Sequence, residues 1–114
     1  MKNSKTVYLH TGTNLGNRQA NLIQVNEFIK QYIGEIILES KLYETAAWGL
    51  MEQPDFYNQA LKVSTFLSAD EVLEKISFIE KSLFNRIRAK KWSKRIIDID
   101  ILFYENEIIN TSTL

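Results

Sequence analysis

Residues 95–104 read RIIDIDILFY, an apolar run interrupted by Asp98 and Asp100. Burying a carboxylate is costly unless something pairs with it. The pattern therefore constrains the fold. In a strand, side chains alternate faces with a period of two. Asp98 and Asp100 then share one face, and Ile97, Ile99 and Ile101 point the other way, toward a core. The chain must supply a sheet with one face covered and one face able to carry charge. The two carboxylates sit roughly 6.5–7 Å apart along the strand. Like charges this close repel unless a cation or basic side chains lie between them. Two readings follow: a solvated face paired to lysine or arginine, or hard oxygen ligands for Mg²⁺, which takes one or two carboxylates and fills its shell with water and phosphate.

The rest of the chain can build such a sheet. TVYLHT (6–11) reads as a buried strand, and GTNLGNR (12–18) as a loop. Apolar residues at Leu22, Val25, Phe28, Ile29, Tyr32 and Ile33 have helical spacing, and Gly34 stands where that helix would stop. EIILESKLYE (35–44) is a second strand, TAAWGLMEQPD (45–55) a loop, and FYNQALKVSTF (56–66) a third strand. Ser68 and Glu71 form a capping box, after which Val72, Ile76, Ile79 and Leu83 line a second helix. A basic loop (86–95) feeds the aspartate strand, Glu105-Asn106 is a turn, and Glu107 begins a returning strand. The order β-α-β-β-α-β predicts an α+β, ferredoxin-like sandwich: an antiparallel sheet with two helices on one face.

Composition narrows the function. The 114 residues are enough for one domain with a real core. Lysine plus arginine balances aspartate plus glutamate at 14 each, which does not favour a dedicated nucleic-acid or membrane-surface protein. With no cysteine there is no disulfide framework, thiol nucleophile or thiolate metal site. No apolar run spans a bilayer, and MKNSKTVYLH lacks a signal-peptide core, so a cytoplasmic location is expected.

Three segments carry candidate chemistry. Arg86, Arg88, Lys90, Lys91, Lys94 and Arg95 surround Trp92 in a stretch free of acids. Such cations beside Asp98 and Asp100 suit a polyphosphate, with a carboxylate-held metal bridging some of its oxygens. Trp48, Leu50 and Met51 either fold back on the core or wall a pocket for a flat ring. Phe56 and Asn58 share a strand face and offer stacking plus amide pairing to a heterocycle. His10, the sole histidine, reads as structural.

On these stretches the sequence resembles the 6-hydroxymethyl-7,8-dihydropterin pyrophosphokinase family. GTNLGNR, LYETAAWG, QPDFYNQA, IEKSL and RIIDIDILFYENEIIN match its motifs in family order and nearly end to end. The resemblance implies pyrophosphate transfer from ATP to the pterin hydroxymethyl group, releasing AMP. It implies two Mg²⁺ ions on Asp98 and Asp100, and a pterin pocket lined by Thr45, Ala46, Trp48, Phe56 and Asn58. It places Arg86, Arg88 and Arg95 at the phosphates, and Glu80, Arg88, Trp92, Arg95 and Ile101 around the nucleotide. Asp100 is a candidate base for the hydroxyl proton. The implied partners are ATP and the pterin, without nucleic acid or membrane, and the implied state is a monomer.

The sequence also departs from the family pattern. Lys91-Trp92-Ser93-Lys94-Arg95 lacks the Gly-Pro pair usual before the aspartates, and Thr13 replaces a serine. Ser77 stands where some members have glutamine, and Phe84-Asn85 where one glycine is usual, so the register of Arg86 and Arg88 is open by one. The chain ends at Leu114, before the family's Pro-His segment, which leaves roughly 40 to 50 residues of a usual domain of this kind unrepresented. One pyrophosphokinase domain lacking its C-terminal part is therefore expected. Two alternatives compete with turnover: a family member that binds pterin or nucleotide without efficient transfer, and a single-stranded RNA-binding module, against which the zero net charge and the two sheet acids argue.

Overall fold

The computed structural model describes residues 3–46, 55–83, 97–105 and 107–108. The strands are β1 (Lys5–Thr13), β2 (Gly34–Glu39), β3 (Tyr43–Thr45), β4 (Phe56–Thr65), β5 (Asp98–Tyr104) and β6 (Glu107–Ile108). The helices are α1 (Arg18–Tyr32) and α2 (Ala69–Phe78). The sheet order is β2-β4-β1-β5-β6, with β3 also pairing to β4, and all pairs are antiparallel. This is the expected ferredoxin-like sandwich.

Alternation explains which face is covered. Val7 and Leu9 of β1, Leu61 and Val63 of β4, and Ile99 and Ile101 of β5 are all buried. Leu22, Val25 and Ile29 of α1 and Val72 and Ile76 of α2 join them in one core. Burying a side chain of this kind contributes about 1.5–3 kcal/mol relative to leaving it exposed. Both helices have side-chain N-caps. The Asn17 carboxamide oxygen accepts from the Ala20 N–H at 3.0 Å. The predicted capping box is present: Glu71 N–H donates to Ser68 Oγ at 3.2 Å, and Ser68 N–H to Glu71 Oε1 at 2.9 Å.

Four local features differ from the sequence expectation. The strand predicted over 35–44 is two strands, β2 and β3, separated by Ser40–Leu42. Ser40 fills the gap: its N–H donates to Ala60 O and its Oγ accepts from Ala60 N–H, both at 2.9 Å. The second helix widens after Phe78 into a π-helical turn, Ile79–Leu83, which buries both Ile79 and Glu80. Gly34 is not a left-handed helix stop. It opens β2, and a Cβ there would lie 2.0 Å from the Ser64 carbonyl oxygen, so the need is for close backbone approach. Finally, the register of β1 on β5 shifts between Tyr8 and Leu9, leaving Leu102 as an extra residue.

Beyond that bulge Tyr104 turns to the core side, and its hydroxyl donates to Leu67 O at 2.6 Å. Burial, then the carboxylates of Glu105 and Glu71, raise its ionisation above the ordinary phenol value. The folded state thus favours the neutral phenol. Its contribution is complete below about pH 10 and is lost as pH rises through the folded-state value. Tyr104→Phe should cost about 1 kcal/mol at neutral pH and reduce the alkaline loss of stability. Urea melts of both proteins at about pH 8 and about pH 11 would check this; parallel pH slopes would count against it.

Candidate active site

Ile99 directs its N–H away from β1, to Glu80 Oε2 at 2.9 Å. By alternation, its neighbours Asp98 and Asp100 face β1 through ladder hydrogen bonds, with partner Cα atoms about 5.5 Å apart. Asp98 stands opposite Gly12 and Asp100 opposite His10. On the far side of β1, Gly12 stands opposite Asn58 and His10 opposite Ala60. Two parallel rows therefore cross the face opposite α1 and α2: Asn58, Gly12, Asp98, and next to it Ala60, His10, Asp100. Cross-strand partners share a face, and strands lie about 4.8 Å apart, so Asn58 and Asp98 are separated by about 10 Å at Cα.

Asn58 is buried, and its amide is oriented from beneath. Its Nδ2 donates to Thr45 Oγ1 at 2.9 Å, and to Tyr43 O and Phe56 O at 3.3 Å. Its Oδ1 then lies over Gly12, 3.1 Å from where a Cβ on that residue would sit. Thr45 stands opposite the half-buried Phe56 in the β3–β4 pair, and Ala46 follows it, exposed. Thr45, Phe56 and Asn58 are thus brought together at one end of the face.

Glu80 is almost fully buried. Its contact with Ile99 braces the backbone between the two aspartates. Ile101 is 1% exposed and packs in the core. The period of two sends its side chain away from the aspartates, so any part Ile101 takes at a nucleotide site falls to its main chain. Trp48, Arg86, Arg88, Trp92 and Arg95 lie outside the described residues, as does the departure at Ser93-Lys94.

Sequence reasoning missed two residues here. His10 was expected to be structural, yet it is half-buried on the aspartate face. The available signal was the alternation of Val7 and Leu9 with Tyr8 and His10. Arg18 was not singled out at all. Its guanidinium donates to Asp55 O at 2.7 Å, pairs with Glu44 at 3.6 Å, and lies 4.2 Å from the Tyr57 ring centroid. It joins the two stems of the segment between β3 and β4. No short motif announces such a contact.

A cavity of about 380 Å³, lined by Tyr8, Leu102, Phe103 and Glu105, lies further along the same face. Its lining is mostly apolar, and neither the aspartates nor Asn58 contributes to it, so it is not the site described here.

An amide, a bare backbone and two carboxylates thus stand in register on the helix-free face of an α+β sandwich. The chain belongs to the 7,8-dihydro-6-hydroxymethylpterin-pyrophosphokinase (HPPK) family, whose model matches residues 8–113. It is 41% identical over 109 residues to the 2-amino-4-hydroxy-6-hydroxymethyldihydropteridine pyrophosphokinase of Aquifex aeolicus, covering 96% of this chain and 67% of that one. It is 41% identical over 112 residues to the bifunctional protein FolKE of Lactococcus lactis subsp. cremoris, covering 96% of this chain and 32% of that one. The fold matches a crystal structure of Plasmodium falciparum HPPK-DHPS with pterin and p-hydroxybenzoate, at TM-score 0.70 and 19% identity, over 92% of this chain and 28% of that one.

Proposed function

We propose that this chain transfers the pyrophosphoryl group of ATP to 6-hydroxymethyl-7,8-dihydropterin. The hydroxymethyl oxygen bonds to the β-phosphorus, the bond from that phosphorus to the α–β bridging oxygen breaks, and AMP leaves with the bridging oxygen. The hydroxyl proton passes to a base, for which Asp100 is a candidate on this face. The observation that carries the reading is the row across β4, β1 and β5. It sets the Asn58 amide about 10 Å from Asp98 at Cα, with the Gly12 backbone between and Asp100 in the adjacent row.

The donor chemistry fits Mg²⁺. Among the described residues no group of three acidic, histidine or cysteine side chains converges. Two carboxylates on a rigid strand, with phosphate and water completing the shell, are nevertheless the usual Mg²⁺ arrangement. Asp98 and Asp100 would hold the ions, which supply charge neutralisation at the phosphates. Asn58, braced by Thr45, orients the pterin. Glu80 keeps the aspartate strand in place through Ile99.

Residues 1–114 are read as one pyrophosphokinase domain that acts on small molecules, as a monomer in the cytoplasm. Among the described residues no helix is long and apolar enough to cross a membrane.

AMP release from MgATP and the dihydropterin tests the reaction; binding of both without AMP would restrict the chain to ligand binding. Asn58→Ala should weaken pterin binding by about 1–3 kcal/mol, the cost of leaving a buried ring donor or acceptor unpaired. MgATP affinity should hardly change. Calorimetry with each ligand separates the cases, since an equal loss for both would mean a folding defect.

A further inference from the structure

We propose that His10 is a substrate-contacting residue, taking the hydroxymethyl side of the pterin between Asn58 and Asp100. The inference rests on the pterin reading above and assigns a side chain to the middle of the site. β1 lies between β4, which carries the amide, and β5, which carries the carboxylates. A ligand that reaches from one to the other must cross β1. On that face the residues at the crossing are Gly12, which has no side chain, and His10. The imidazole is therefore the side chain that β1 offers to a bridging ligand.

The geometry around Gly12 supports this. The point where its Cβ would stand is 3.1 Å from Asn58 Oδ1 and 3.8 Å from His10 Cε1. Amide and imidazole thus both border the Gly12 backbone. The imidazole also leans toward the amide side, its ring 6.2 Å from that of Tyr43, which itself stands opposite Asn58. The other cross-strand neighbour, Ala60, is too small to cover the ring. A core histidine would satisfy its nitrogens internally. Among the described residues, none of the hydrogen bonds engages the His10 nitrogens, and the residue as a whole is half-buried. A half-buried ring with a free donor and acceptor suits a hydroxyl, which both donates and accepts.

The test uses the 114-residue chain and two ligands, 6-hydroxymethylpterin and pterin without the hydroxymethyl group. His10→Ala should bind the first about tenfold more weakly, the equivalent of one hydrogen bond, and the second as the parent does. His10→Gln should recover most of the loss, because its amide can still donate. MgATP binding should be unchanged in both variants. As this is the sole histidine, its ring carbon–proton resonance can be followed without assignment. It should move on adding 6-hydroxymethylpterin and less with pterin. If His10→Ala binds both pterins as the parent does and the resonance stays still, while Asn58→Ala weakens pterin binding, the proposal is overturned and the pterin reading stands. If His10→Ala weakens all three ligands alike, the role is structural and the proposal is likewise overturned. If the parent binds neither pterin nor MgATP, the pterin reading fails and this inference fails with it.

Discussion

Asp98→Ala or Asp100→Ala is expected to lower pyrophosphoryl transfer by about a thousandfold or more. A metal-held phosphate gains several kcal/mol of charge stabilisation, and each 1.36 kcal/mol is a factor of ten. Pterin binding should survive, because Asn58 stands on β4, two strands away from the aspartates. Stability should change by less than about 1 kcal/mol, since both carboxylates are partly exposed and neither belongs to the core. Loss of turnover without loss of stability is the mark of a group kept for chemistry. AMP release, calorimetry of MgATP and of pterin, and a urea melt of each variant measure turnover, binding and stability in turn. An Asp100→Ala chain that bound MgATP as tightly as the parent would refute the metal assignment.

The second large effect is on folding. Gly34→Ala should destabilise the chain by about 3 kcal/mol or more, a substantial part of the 5–15 kcal/mol typical of a domain. The new Cβ would meet Ser64 O at 2.0 Å, Ser64 C at 2.9 Å and Thr65 Cα at 3.0 Å. All three are backbone atoms of β4, the strand that also carries Asn58, so no side-chain rotation relieves the clash. The same junction is fastened from the other side, where Thr65 Oγ1 donates to Ile33 O at 2.6 Å. Gly16 offers the contrast: it has φ +66° and nothing within 4 Å of a built Cβ. Gly16→Ala should cost only about 1–2 kcal/mol, from the left-handed backbone alone. Comparing denaturation midpoints of the two variants separates crowding from dihedral strain. Equal, small losses would show that the β2–β4 junction yields more easily than its geometry implies.

Most of the architecture was legible because local patterns and the final packing agree. Helical spacing on α1, the capping box on α2 and alternation along β5 each act within a few residues. What escaped depends on partners far away in the chain. Nothing in EIILESKLYE says that Ser40 will occupy a gap beside Ala60. Nothing in IEKSL says that Glu80 will face inward, because the donor its carboxylate accepts from is a main-chain N–H nineteen residues on. The bulge at Leu102 changes the parity of β5. Strict alternation would keep Leu102 and Tyr104 on the aspartate face; instead Phe103 stands opposite Tyr8 there, and Tyr104 goes inward. At the site, Asp98, Asp100, Asn58 and Phe56 could be picked out by residue type. The place of His10 on this face could not, because it depends on which strands lie beside β1.

The Glu80–Ile99 contact has a further consequence, for how molecules meet one another. Among the described residues, β6 pairs with β5 only at Phe103 and Tyr104. Among the described residues no strand but β1 pairs with β5 alongside the two aspartates, and an unpaired strand border is where a strand from another molecule can dock. A carboxylate placed on the outward-pointing amide occupies one of the few donors such a strand would need, and sets a negative charge in its path. The side chain that steadies the carboxylate strand thus also discourages molecules from joining edge to edge alongside the aspartates.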